Sequence, residues 1–329
     1  MDFQIAREEL VRALSRVQGI VERRSTNPII ANVLLTADET RGLVVSATDT
    51  EISFIGNYEA TVSDPGEITV EAKHLFDIAR SLPTDQVTVT SAADAPLELE
   101  IRSGKAFFRV KGMTSDNFPP IPKMGVEGSL KIRAADLRRL IERTSFSIST
   151  DDTRTGLNGA CVEDRGDGKL RMVATDGHRL SLAEGDFEGS IDSGGSVLLP
   201  RKGLAELRKL CDDPAAVFEV ALVQNQVIFR RAGMSITMRL LEGTFPDYNQ
   251  VIPERPERVA LVSRRALTDG LKRVSILAAE RSNAVRFSLS EGTLGLRSSH
   301  SEFGSASEEL EVETEGDPVE IGFNAQYFL

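Results

Sequence analysis

Within these 329 residues, the arrangement closest to an acid–base pair is Asp176-Gly177-His178, where an aspartate could orient a histidine as general base. Its repeat counterparts are Asp49-Thr50-Glu51 and His300-Ser301-Glu302, so no such pair recurs. No Ser or Cys nucleophile motif accompanies it, no Walker loop is present, and no GxGxxG follows a strand. Asp176 reads instead as a turn aspartate bonding its own backbone. His178 reads equally as a packed loop residue or as a contact for a bound peptide. Cys161 and Cys211 have no metal or redox spacing and read as reduced core residues. Three histidines argue against a multi-histidine metal centre. No catalysis and no cofactor are expected.

The chemistry that recurs is basic, and repeated elements position it. Three segments open alike: FQIAREELVRALSRV from Phe3, LKIRAADLRRLIERT from Leu130 and ALVSRRALTDGLKRV from Ala260. Offsets of 127 and 130 residues carry Ile5 to Ile132 to Val262, Leu10 to Leu137 to Leu267, and Leu14 to Ile141 to Leu271. This spacing predicts a short strand leading into a helix with an apolar stripe. The same offsets align Arg16, Arg143 and Arg273. A second helix recurs from Glu71 and from Leu199, where Lys73, His74 and Arg80 correspond to Arg201, Lys202 and Arg208. One such helix reads as a solvated face. Recurrence on every copy points to a basic surface that attracts phosphate without reading sequence.

Between the helices, LELEIRSGKAFFRV and FEVALVQNQVIFRR alternate apolar and polar residues about turns at Ser103-Gly104 and Asn225, the pattern of β-hairpins. Each repeat is therefore an α+β domain of antiparallel strands with two helices. The expected domains are 1–125, 126–254 and 255–329. The first two are expected to superpose, and a single sheet continuing across residue 125 would count against this organisation. From Val262 only 67 positions remain, so the third copy is expected to be incomplete by roughly 40 to 50 residues, its second helix beginning in GFNAQYFL.

The net charge of -11 argues against wholesale coating by nucleic acid, but screening over about 8 Å lets an acidic exterior coexist with a basic inner surface. No apolar run is long enough to span a bilayer. MDFQIAREEL is charged where a signal peptide would be apolar, so a cytoplasmic location without membrane partners is expected.

The ATDGHRL run at Ala174 to Leu180, FPDYNQVIP at Phe245 to Pro253 and GFNAQY at Gly322 to Tyr327 resemble, over the whole chain, the bacterial sliding-clamp family, the beta subunit of DNA polymerase III. The resemblance implies three clamp domains per subunit and a head-to-tail homodimer closing as a ring around double-stranded DNA. It implies docking of the polymerase III alpha subunit, the clamp loader and other clamp-binding-motif proteins through a peptide pocket between the second and third domains. Carried over, it adds Arg24 to the DNA contacts. It places Leu157, Thr175, Gly177, His178, Arg179, Leu180, Pro246, Gln250, Val251, Asn324 and Tyr327 in the pocket. Gln250 and Ser282 depart from the larger or charged residues found at the rim in relatives. The competing reading is an acidic protein-binding scaffold that never meets DNA; the recurring arginines count against it.

Overall fold

A computed structural model describes residues 1–22, 27–121, 130–189, 195–253, 258–279 and 282–329. They form two compact units, Met1–Phe245 and Pro246–Leu329.

The first unit holds two copies of one element order. The first copy runs β1 (Asp2–Ala6), α1 (Arg7–Val17), β2 (Asn32–Asp38), β3 (Gly42–Thr48), β4 (Ile52–Tyr58), β5 (Ala60–Asp64), β6 (Gly66–Glu71), α2 (Ala72–Ser81), β7 (Gln86–Ala92), β8 (Ala95–Ser103) and β9 (Ala106–Met113). The second runs β10 (Leu130–Arg133), α3 (Ala134–Thr144), β11 (Gly159–Asp164), β12 (Lys169–Thr175), β13 (Leu180–Asp186), β14 (Ser196–Pro200), α4 (Arg201–Leu210), β15 (Val217–Val223), β16 (Gln226–Arg231) and β17 (Met234–Arg239). Strand order β4-β3-β2-β6 in one copy is β13-β12-β11-β14 in the other. Where β5 pairs β1, the second copy has a single bridge, Lys131 to Glu188.

The copies do not keep separate sheets. β17 pairs antiparallel with β4, Met234 opposite Gly56 through Met238 opposite Ile52, so one 13-stranded sheet runs through both. This corrects the expectation that no sheet would cross residue 125. A strand edge exposes unpaired backbone donors and acceptors, and here the edge of one repeat satisfies the edge of the next. Ion pairs flank the seam: Lys202 with Asp49, Arg239 with Glu51, and Arg16 with Asp212.

The apolar stripes do what their spacing predicts. Leu10, Ala13, Leu14 and Val17 of α1, and Leu137, Leu140 and Ile141 of α3, are buried against strands. α2 touches α1, α1 touches α4 and α4 touches α3, so the helices form one row. The two predicted hairpins are present. Gly104 takes φ +57 between β8 and β9, and Gln224 takes φ +54 between β15 and β16, as tight turns between twisted strands require. Cys161 and Cys211 are buried free thiols, and desolvation pushes them up to about 11 and about 12.

The second unit repeats the first half of this order: β18 (Val259–Leu261), α5 (Arg264–Val274), β19 (Ala284–Ser290), β20 (Thr293–His300), β21 (Gly304–Glu311), β22 (Glu313–Glu315) and β23 (Val319–Asn324). Its sheet order β21-β20-β19-β23 is that of β4-β3-β2-β6, and β18 pairs β22 as β1 pairs β5. Leu271, Val274, Val285 and Leu296 centre its own core. The helix expected in GFNAQYFL is only a 3-10 turn over Ala325–Tyr327.

Candidate functional site

The helices concentrate positive charge in an acidic chain. They hold 16 of the 39 Lys and Arg but 7 of the 50 Asp and Glu, so they carry +9 while the remainder carries -20. Many of these cations sit in the last helical turn, where the dipole favours them.

The recurring basic positions divide by their partners. Lys73 and Arg80 of α2, Arg143 of α3 and Arg201 of α4 are exposed and make no ion pair among the described residues; Arg80 lies over the Phe76 ring at 5.5 Å. These side chains can meet phosphate without first leaving a carboxylate. Arg273 is exposed but held by both oxygens of Glu308. Arg16 and Lys202 are engaged within the first unit. The Arg16 side chain is only 12% exposed and donates to Asp212 at 2.8 Å. Lys202 donates to Asp49 and to the Ile20 carbonyl at 3.1 Å. Both join the two repeats. Arg24 lies outside the described residues. Sequence reasoning missed Arg264 and Lys272 of α5, which are exposed and without an ion pair among the described residues; their signal was the same basic helix face.

The ATDGHRL segment is the turn between β12 and β13, with Thr175 opposite Leu180. Asp176 Oδ1 accepts from the backbone N–H of His178 at 2.9 Å and of Arg179 at 3.0 Å, while Oδ2 accepts from Arg179 Nε at 3.1 Å. Partial burial pushes the Asp176 carboxyl up, but these bonds outweigh it and hold the group below the usual carboxylate range. Asp176 is therefore the self-bonding turn aspartate of the second reading. Thr175 Oγ1 accepts from Gly177 N at 3.1 Å and donates to the Arg179 carbonyl at 2.7 Å. Gly177 takes φ +87, which a side chain would strain. Two residues not singled out from sequence brace the turn. Arg154 donates to the Asp176 carbonyl at 3.2 Å, and the Phe146 carbonyl accepts from Arg179 at 2.6 Å beneath a cation–π contact of 5.5 Å. Arg154 lies outside any helix or strand and Phe146 in a three-residue 3-10 turn, neither of which carries a periodic signal. Leu157 and Leu180 are half-buried beside exposed Gly177 and His178.

In the second unit, Pro246 and Gln250 are exposed and Val251 is 67% exposed. Asp247 caps the Tyr248–Gln250 turn, accepting from Asn249 N at 3.2 Å and from the Gln250 amide at 3.0 Å. Asn324 accepts from Gln326 N at 2.9 Å, and Tyr327 is half-buried.

Antiparallel repeats carrying basic helices define the class: a repeat protein of α+β domains whose helices gather its positive charge. Comparison with known proteins makes this specific. Models of the DNA polymerase III beta subunit match in order: N-terminal domain at residues 1–122, central domain at 131–247 and C-terminal domain at 249–329. The chain is 37% identical to the beta sliding clamp of Caulobacter vibrioides over 334 residues, covering 100% of this chain and 89% of that protein. It is 36% identical to that of Pseudomonas aeruginosa over 330 residues, with the same coverages. Among solved structures, the sliding clamp of Bartonella birtlesii bound to griselimycin superposes at TM-score 0.93 and 32% identity, covering 100% of this chain and 88% of that one. The P. aeruginosa clamp bound to griselimycin gives 0.91 at 35% identity, with the same coverages. This chain belongs to the DNA polymerase III beta subunit family, the sliding clamps. It is a processivity subunit of the replicative polymerase and has no catalysis of its own.

Proposed function

We propose that two copies associate head to tail around duplex DNA, in the cytoplasm, with 1–125, 126–254 and 255–329 as the clamp domains. The observation that carries the reading is the charge partition: +9 on the helices against -20 elsewhere, with Lys73, Arg80, Arg143 and Arg201 making no ion pair among the described residues. Ionic contacts with phosphate bind without pinning register, which suits a protein that slides. Arg273 and Arg24 complete the proposed contact set.

Head-to-tail pairing is supported by the repeat itself. Inside the first unit the edge of β4 joins β17. Their counterparts are β21, whose outer edge carries no strand among the described residues, and β9, which pairs beyond β8 only at Gly112 and Met113. Exposed Phe107 lies on β9, and exposed Phe303 and Ile276 belong to the second unit. Sedimentation of wild type and Phe107→Asp tests the pairing. A dimer in the first and a monomer in the second is expected; identical behaviour overturns it.

Partner proteins, the polymerase III alpha subunit and the clamp loader among them, dock a short peptide. In the first unit the residues assigned to this role are Leu157, Thr175, Gly177, His178, Arg179 and Leu180; in the second unit, taken by itself, they are Pro246, Gln250, Val251, Asn324 and Tyr327. Half-buried leucines beside a rigid polar turn are what small binding sites use. Arg179, already engaged by Asp176 and Phe146, positions the turn and contributes its stem.

A further inference from the structure

Inside the first unit β17 joins β4, and ion pairs flank the join: Lys202 with Asp49, Arg239 with Glu51 and Arg16 with Asp212. The strand registers show which residues hold those places on β9 and β21, the edges left to pair between copies. Asn32 pairs with Glu71 just before α2 as Gly159 pairs with Pro200 just before α4, so Lys73 holds the place of Lys202. The helix starts thus move the match by one residue from the sequence alignment, which set His74 against Lys202. The β8–β9 hairpin closes with Ser103 opposite Ala106 and the β16–β17 hairpin with Arg231 opposite Met234, so Lys111 holds the place of Arg239. On the facing edge, buried Leu43, Val45 and Ala47 of β3 match buried Leu294, Leu296 and Ser298 of β20. That register puts His300 at the place of Asp49 and Glu302 at the place of Glu51.

The ion pairs do not all transfer. Lys111 and Glu302 keep opposite charges, and both are exposed. Arg273, the counterpart of Arg16, is bonded to Glu308 of its own unit. Lys73, exposed and without an ion pair among the described residues, would meet an imidazole in place of a carboxylate. His300 Nδ1 accepts from the backbone N–H of Glu302 at 3.2 Å, and its ring stacks at 4.6 Å on that of Phe303, which is 69% exposed. A ring nitrogen that accepts carries no proton. A proton there breaks the turn's bond and adds a charge, and histidine is the side chain that makes this change between about pH 8 and about pH 5. In its own unit the charged neighbours are Glu302 in the turn and Lys272 and Arg273 at the end of α5, which packs on β20. Gly304 opposite it and the Ser275–Leu277 turn carry no charge. Across the join stand Lys73, Lys111 and His74, the last held by Glu71 at 2.8 Å. Cations outnumber acids around the imidazole, so a charge on His300 is opposed.

We propose that the join between two copies is a pH-sensitive version of the join inside the chain: His300 of one copy faces Lys73 of the other where Asp49 faces Lys202 within one, and protonation of His300 loosens the dimer. The proposal deepens the head-to-tail pairing and rests on it.

The test is sedimentation equilibrium of the full chain, wild type, His300→Gln and His300→Asp, at about pH 8 and at about pH 6 and equal ionic strength. His300→Gln takes no proton there but keeps every other titration in the molecule, that of His74 included. Acidification is expected to weaken the wild-type dimer about 5-fold more than the His300→Gln dimer, because a closed ring has two such joins of exposed charge. His300→Asp, which restores the carboxylate of the internal join, is expected to pair about 5-fold more tightly than His300→Gln at both pH values. The same acid response in wild type and His300→Gln, or a His300→Asp dimer no tighter than that of His300→Gln, overturns the proposal and leaves the head-to-tail reading standing. A wild type that is monomeric at both pH values, or a dimer that Phe107→Asp leaves intact, overturns both.

Discussion

Arg16 and Arg143 occupy the same position in two copies of one helix, yet the structure predicts opposite consequences for their removal. Arg143 is exposed with no ion pair among the described residues. Arg16 is 12% exposed at the side chain and bound to Asp212. If Arg143 neutralises one phosphate, Arg143→Ala makes the plot of log affinity against log salt shallower by about 0.9. Over a fourfold rise from about 50 to about 200 mM salt, that slope amounts to roughly a 3.5-fold smaller loss of affinity. The change is the same for unrelated sequences, because no base is read. Arg16→Ala leaves the slope unchanged and acts on folding. Asp212 keeps Arg231 and is itself half exposed, so the loss is about 1 kcal/mol. Fluorescence anisotropy with two unrelated duplexes across that salt range gives the slopes, and urea denaturation gives the stabilities. The reasoning fails if Arg16→Ala lowers the slope as much as Arg143→Ala, or if either duplex is preferred.

Three further outcomes follow from packing and charge. A Cβ at Gly19 would meet the Glu206 carboxylate, the far end of a flexible side chain bonded to half-exposed Lys209, so Gly19→Ala is expected to displace that pair at a cost of no more than about 1 kcal/mol in urea denaturation; a loss of several kcal/mol contradicts this reading. The Asp176 carboxyl is depressed in the folded state, so its contribution is complete above the unfolded value near 4 and is lost as pH falls through the folded value. The stability gap between wild type and Asp176→Asn should therefore narrow on acidification from about pH 6 to about pH 3, and a gap that widens refutes the assignment. Leu180→Asp should weaken a pentapeptide beginning with Gln and ending Leu-Phe by roughly 1.5–3 kcal/mol, the burial of one apolar anchor; equal affinity in both proteins places docking elsewhere.

What was legible in the sequence was periodic. The stripe Leu10, Leu14, Val17 and its copies set the helices because a 3.6-residue repeat brings them to one face. Strand alternation with a turn residue set the hairpins. The seam was not legible, since β4 meets β17 across 178 to 186 positions of sequence, from Met234 opposite Gly56 to Met238 opposite Ile52, and edge pairing leaves no local mark. The same distance hid the fate of Arg16: aligned arginines look alike until Asp212, 196 residues away, takes one of them. The pairing of Lys202 with Asp49 was hidden for the same reason. In GFNAQYFL the described residues hold a 3-10 turn over Ala325–Tyr327.

The central claim is topological, and one measurement addresses it directly. The chain is loaded on nicked circular duplex, free protein is removed, and retention is followed before and after the circle is cut once with a restriction enzyme. A ring held by encirclement stays on the circle at a salt concentration that abolishes binding to short linear duplex, and leaves when ends are created. Equal retention on the circle and on the cut product would contradict encirclement and return the chain to an ordinary electrostatic association with DNA.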